Sequence, residues 1–235
     1  MPKNATMIHH SWDLTPQEAI QLQKKLAKEI RVEPLDVEKV KLVAGCDISF
    51  AAHASTDTPV FAGVVVLELP QLTLKERVGV RTISPFPYIP GLLSFRESPP
   101  LLEAWERLST RPDVLIADGQ GLAHPRRFGI ACHLGLLLDV PSIGVAKSLL
   151  VGHHDAVPNQ VGAWQPIVDR GEMVGAALRL QQNVAPIYVS VGHRADLTSA
   201  IQLILQCRGS TRLPEPTRQA HLYVNALRRG EIPLV

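Results

Sequence analysis

The sequence predicts a mixed α/β fold, with one sheet that has an antiparallel edge and helices packed on its faces. Two observations predict it. Three strand-like runs, Leu42–Phe50, 61–69 and 72–83, follow one another with connections short enough for antiparallel pairing. Further along, helical segments alternate with short apolar runs, the order that builds parallel or mixed sheets.

A helix is expected over 15–30, where Thr15, Pro16 and Glu18 supply a cap, a first-turn proline and a capping-box partner. Ala19, Leu22, Leu26 and Ile30 form its apolar stripe. The second strand-like run holds Gly63, Val64, Val65, Val66 and Leu67, continuously apolar rather than alternating, so it should be covered on both faces. A proline-rich loop follows the third run. A helix is expected over 99–108 with Ser98 as cap and Leu101, Trp105 and Leu108 inward. Val114–Asp118 reads as a short buried strand, broken by Gly119-Gln120-Gly121, with a helix over 125–138 behind it. Ser142–Ala146 is a second buried strand, ending at Lys147. Strands over 174–180 and 187–191 and helices over 197–207 and 215–229 complete the chain, the last closed by Gly230. No repeat or linker interrupts the 235 residues, so one domain, 1–235, is expected.

Composition narrows the function classes. An apolar fraction of 46% fills a core and excludes a disordered chain. The net charge of +2 neither requires nor excludes a nucleic-acid partner, because a basic groove can sit inside a balanced total. Cys46, Cys132 and Cys207 are odd in number and lack CxxC spacing, which argues against a disulfide framework or a thiolate zinc site. No apolar run spans a bilayer and the N-terminus lacks a signal-peptide core, so a cytoplasmic, non-membrane protein is expected.

Several residues stand out chemically. Asp47 lies inside an apolar strand, where an unpaired carboxylate costs several kcal/mol or more, so it calls for a proton, a cation or a metal. Asp118 ends a buried strand, at the edge where open α/β sheets bind ligands; alone it also fits an Asp-Gly turn. Glu97 precedes the expected helix start at Ser98-Pro99, where the helix dipole favours its charge, and it also fits a solvated helix end. Three carboxylates from separate elements suit Mg²⁺ or Mn²⁺, which assist phosphodiester hydrolysis. Lys147 shares the Asp118 edge if the two strands are parallel. His221 lies off the apolar stripe Ala220, Tyr223, Val224 and Leu227 of the last helix, on a polar face with Arg218 and Asn225. Each fits an ordinary surface residue as well. Pro87, Tyr88, Ile89 and Pro90 make a stiff, apolar-tipped loop, suited either to capping the core or to wedging between bases. His124, Arg126 and Arg127 are candidates for phosphate binding or plain solvated charge. His9-His10 and His153-His154 read as surface pairs without a third ligand.

Taken together, AGCDISF at 44–50, PYIPGLLSFRE at 87–97, DGQGLAHPRRFGIACHLGLLLDVPSIGVAKS at 118–148 and LPEPTRQAH at 213–221 closely resemble the endonuclease V family. The resemblance implies a ribonuclease H-like fold with a central five-stranded mixed sheet. It implies a Mg²⁺-dependent enzyme, with Mn²⁺ as substitute, that acts as a monomer on DNA containing deaminated bases such as deoxyinosine. The cut would fall at the second phosphodiester 3′ of the lesion, leaving 3′-hydroxyl and 5′-phosphate ends. The resemblance places catalytic carboxylates and metal ligands on Asp47, Glu97 and Asp118, a catalytic lysine on Lys147 and a catalytic histidine on His221. It places a strand wedge on Pro87 to Pro90 with Tyr88 foremost, and a lesion pocket near Gly91, Leu93, Gly119, Gly121 and Ile130. Some members carry histidine at the position of Gln120. The alternatives are an inosine-specific ribonuclease, which needs a reader of the 2′-hydroxyl, and a non-catalytic nucleic-acid-binding module. Retention of all three carboxylates and Lys147 argues against the module.

Overall fold

The computed structural model describes residues 10–50, 58–84 and 86–234. The first helix, α1 (Pro16–Leu26), starts at the Thr15 capping box and continues as a single 3₁₀ turn, Ala27–Glu29. Strands β1 (Leu42–Phe50), β2 (Pro59–Glu68) and β3 (Thr73–Ile83) form the expected antiparallel group. Helix α2 (Leu93–Glu106) leads to β4 (Val114–Asp118), α3 (Ile130–Leu138) and β5 (Ser142–Ala146). Then come β6 (Trp164–Asp169), β7 (Glu172–Leu178), β8 (Ile187–His193), α4 (Leu197–Gln206) and α5 (Glu215–Arg229).

The described strands make one sheet of eight, in the order β3-β2-β1-β4-β5-β8-β7-β6, not five. Strands β1, β4 and β5 run parallel to one another, while β8 returns antiparallel to β5 and carries β7 and β6 with it. The extra edge strand, β6, contains Pro166 and pairs with β7 as its one neighbouring strand among the described residues, with a single isolated bridge from Val168 to His153 besides. A proline cannot donate to the ladder, so it suits an edge and hides the strand from pattern reading.

Alternation on the strands separates two cores. Val43, Val65, Leu67, Val114, Ile116, Ile143 and Val145 face α4 and α5. Ala44, Cys46, Val64, Val66, Leu115 and Ala117 face α2 and α3. Strand β2 is thus buried on both faces, as its continuous apolar run predicts. Helix α5 settles into a trough cut by Gly45, Gly63 and Gly79. A Cβ on Gly45 would lie 2.0 Å from the Pro216 carbonyl oxygen, and one on Gly79 would lie 2.4 Å from Leu227.

Two helix starts differ from expectation. Helix α2 begins six residues before Pro99 and holds Pro99 and Pro100 inside it. Pro100 cannot donate to the Arg96 carbonyl four residues back, and the Ser84 hydroxyl donates to that oxygen instead, at 2.6 Å. Helix α3 begins at Ile130 rather than 125. Arg127 takes a left-handed φ of 56°, which ends any helix there, and the Ala131 N–H is met by the Gln120 carbonyl at 3.1 Å. Among the described residues, no helix is long and apolar enough to cross a membrane.

Candidate active site

Sheet register brings the two aspartates together. Gly45 pairs with Ile116 and Cys46 with Ala117, so the next step sets Asp47 beside Asp118. Val43 and Ile116 point toward α5, and by alternation Asp47 and Asp118 do the same. On α5, His221 stands one residue beyond buried Ala220 and meets Asp47: its Nδ1 lies 2.8 Å from Asp47 Oδ2. Strand β5 is parallel to β4, so Lys147, just past its end, reaches Asp118 Oδ2 at 2.7 Å. Asp47, Asp118 and His221 each offer a ligand atom, and all three atoms lie within 4.8 Å of one another.

Glu97 approaches from the opposite face. It sits in the second turn of α2, not ahead of a helix start, so the dipole has little part in its state. Burial, then the charges of Asp47 and Asp118, push its carboxyl up to about 8. Burial and Asp47 raise Asp118 as well, against Lys147. The hydrogen bond to Asp47 raises His221. Cys46, wholly buried between the acids, is raised by burial and then by Asp47, Asp118 and Glu97. Three carboxyl groups thus crowd a space where Lys147 and His221 supply the opposing charge.

Beside this cluster opens a cavity of about 410 Å³. Gly91, Leu93, Gly119 and Ile130, from the expected pocket set, line it together with Glu97, Asp118 and Lys147. Gly121 does not; it is packed on β8, where a Cβ would meet the Val191 carbonyl at 2.0 Å, and its N–H donates to Ser190 Oγ at 2.8 Å. Gln120 lines the cavity too, donating to the Ser148 carbonyl at 3.1 Å while its Oε1 has no partner. In the loop 87–90, Tyr88 projects at the cavity wall with 59% of its surface exposed, flanked by exposed Pro87 and Pro90. Ile89 turns inward against Phe86, Leu92 and Phe95, and so anchors the loop rather than extending its tip.

The residues proposed for phosphate are directed elsewhere. Arg126 Nη2 donates to the Gly91 carbonyl and its Nε to Gln23 Oε1, both at 2.5 Å. Arg127 pairs with Asp169 and Glu172, each at 2.8 Å. Burial, reinforced by Arg126, pushes His124 down to about 4, so its ring is neutral. His10 is no surface residue either: its Nε2 lies 2.7 Å from Nε2 of fully buried His133, while His9 falls outside the described residues. Sequence reasoning missed Gln23, wholly buried on α1 between Ala19 and Leu26. The available signal was an amide standing on the apolar stripe.

Comparison with known proteins agrees with this geometry. The family model described as Endonuclease V matches residues 24–222. An endonuclease V of Gloeobacter violaceus is 50% identical over 232 residues, covering 98% of this chain and 94% of the relative. The chain belongs to the endonuclease V family. Membership makes it a nuclease that hydrolyses DNA phosphodiester bonds. Among solved structures, endonuclease V of Bacillus subtilis superposes with a TM-score of 0.89 at 31% identity, covering 94% of this chain and 96% of the other. The Ciona intestinalis endonuclease V, solved with a 24mer DNA containing an inosine followed by a ribo-adenosine, superposes with a TM-score of 0.82 at 28% identity, covering 92% and 98%.

Proposed function

We propose that this endonuclease V recognises deaminated bases, deoxyinosine foremost, and cuts the second phosphodiester 3′ of the lesion to leave 3′-hydroxyl and 5′-phosphate ends. One observation carries the reading: Asp47 and Asp118 meet side by side with His221, and Asp118, with Glu97 and Lys147, lines a cavity large enough for a base. The Ciona intestinalis relative, bound to inosine-containing DNA, supports the same substrate class.

The donor set suits a hard divalent cation. Two carboxylates and an imidazole converge, a third carboxyl stands close, and the excess negative charge is what a divalent ion relieves. Asp47, Asp118 and His221 would hold it, with Glu97 completing the oxygen set, and Mg²⁺ is the ion we assign, with Mn²⁺ as substitute. Such an ion supplies Lewis-acid stabilisation of charge on the phosphate oxygens. The remaining roles belong to the chain. Lys147, ion-paired to Asp118 yet 43% exposed, places a positive charge where a phosphate can meet it. His221 is held by Asp47 through Nδ1 and lies 3.3 Å from Asn225 Nδ2 through Nε2, which fixes its ring beside the cation site. Tyr88 fills the space left by an everted base, and the cost of eversion is lowest for a weakly pairing base such as hypoxanthine. Three free, buried cysteines fit a reducing compartment, and we place the enzyme in the cytoplasm.

The test is nicking of a duplex bearing one deoxyinosine, with and without Mg²⁺, beside Asp118→Asn. Metal-dependent nicking that the variant loses supports the reading; nicking that survives EDTA, or survives in Asp118→Asn, overturns it. The ribo-adenosine in the Ciona intestinalis complex favours a second reading, cleavage of inosine-containing RNA. Matched DNA and RNA strands with one inosine separate the two.

A further inference from the structure

The carbonyl of Gly91 is held by three side chains. Gln23 Nε2 donates to it at 3.1 Å, His124 Nε2 lies at 3.1 Å, and Arg126 Nη2 donates at 2.5 Å. The state of His124 follows from its other nitrogen. Its Nδ1 accepts the backbone N–H of Arg126 at 3.2 Å, so the proton of the neutral ring is on Nε2, and Nε2 is a donor. Gln23 ties the group together, since it also donates to the Phe128 carbonyl at 3.1 Å and accepts from Arg126 Nε at 2.5 Å. Gly91 itself has a φ of 80°, and a Cβ there would lie 2.8 Å from Arg126 Nη2, so the clamp closes directly on this glycine.

A carbonyl oxygen has two lone pairs. Three converging donors leave it no capacity to accept a further bond. Gly91 lines the cavity beside Tyr88 and Leu93, so an unsaturated carbonyl at this position would reward any ligand carrying an amine. Adenine carries an exocyclic amine where hypoxanthine carries a carbonyl. We infer that Gln23 and Arg126 are specificity-positioning residues, which saturate the Gly91 carbonyl and so deny the cavity an acceptor for the amine of an undamaged adenine. The inference rests on the reading above that a base enters this cavity.

Two donors would still fill two lone pairs, so the test removes two at once. It compares wild type with Gln23→Leu/Arg126→Met, which leaves His124 Nε2 as the one remaining donor of the three, and with Arg126→Lys alone, which keeps two. Gln21→Leu, on the exposed side of the same helix, is the control. For each, kcat and KM are measured on duplexes identical except for deoxyinosine or deoxyadenosine at one position. The expected result is a fall of about tenfold in the double variant's preference for deoxyinosine, the scale of one mis-satisfied buried polar group. The change should sit in KM, with kcat within twofold; Arg126→Lys and Gln21→Leu should keep the preference. If that double variant does not fold, His124→Leu/Arg126→Met, which leaves Gln23 as the one donor of the three, carries the same comparison. Unchanged preference in the folded double variants overturns the inference. So does a parallel loss on both substrates that tracks a lowered Tm, which marks a purely structural clamp. Wild-type enzyme that fails to prefer deoxyinosine sinks the base-pocket reading itself, whatever the variants do.

Discussion

Gly45→Ala should disable the enzyme from the back of the sheet. Gly45 lies two residues before Asp47, on the same face of β1, and the first turn of α5 rests on it. A Cβ at this position would lie 2.0 Å from the Pro216 carbonyl oxygen and 2.7 Å from the Thr217 nitrogen, where ordinary contact begins near 3.4 Å. Both neighbours are backbone, so no side chain can rotate away. Helix and strand must separate by roughly 1 Å or more, and His221 sits one turn further along that helix. Overpacking of this kind costs about 2 kcal/mol, or roughly 4–8 °C in Tm for a chain of this size. The effect on chemistry should be larger than the effect on stability. Displacing a catalytic group by about 1 Å costs on the order of a hundredfold, and the 2.8 Å contact between His221 and Asp47 cannot survive the shift. Urea denaturation and nicking of a deoxyinosine duplex, both at a temperature where the variant is fully folded, separate the two effects. Activity within twofold of wild type, alongside the expected loss of stability, would show that the spacing of α5 does not control the site.

Other expectations follow from the same geometry. Asp118→Asn should lower cleavage at least about a hundredfold while keeping DNA binding in Ca²⁺. Because burial and Asp47 make its charge unfavourable in the metal-free fold, the same variant should have a raised Tm in EDTA; a lowered Tm contradicts that account. Tyr88→Ala should leave Tm nearly unchanged, since the ring is exposed, yet reduce lesion preference roughly tenfold, the worth of one stacking contact. His124 makes stability pH-dependent with a definite sign. The unfolded chain binds its proton near 6.5 and the folded chain only near 4, so this stability is complete above 6.5, falls as pH drops through the interval, and levels off below it. The drop amounts to roughly 3 kcal/mol. Urea midpoints between pH 7 and 4.5 should therefore fall less steeply in His124→Gln than in wild type, and equal slopes would refute the assignment.

Some elements were legible because one local signal dominated. The bounds of β1, β4, β5 and α5 were read directly, each being a bounded apolar run or a strongly amphipathic helix with a glycine stop. Where prolines carried the reading it failed. Pro99 and Pro125 look like helix starts, yet Pro99 lies inside α2 beside Pro100, whose freed Arg96 carbonyl is met by Ser84, and Pro125 lies in a loop. Asp47 and Asp118 were visible as carboxylates in or at the end of apolar strands and His221 as a residue off a helix stripe, while Glu97 and Lys147 read equally well as solvated charges and only the family motifs singled them out.

What the linear chain determined by itself is the alternation of each strand, the continuous burial of β2 and the identity of the chemical groups, because these depend on neighbours a few residues apart. Tertiary structure alone decided that Asp47 stands against Asp118, that Glu97 comes near enough on the other face for their charges to raise it, and that Arg126 and His124 close on the Gly91 carbonyl. These contacts join residues far apart in sequence. Register between strands and the depth of the glycine trough set their distances, and neither is written in any single segment.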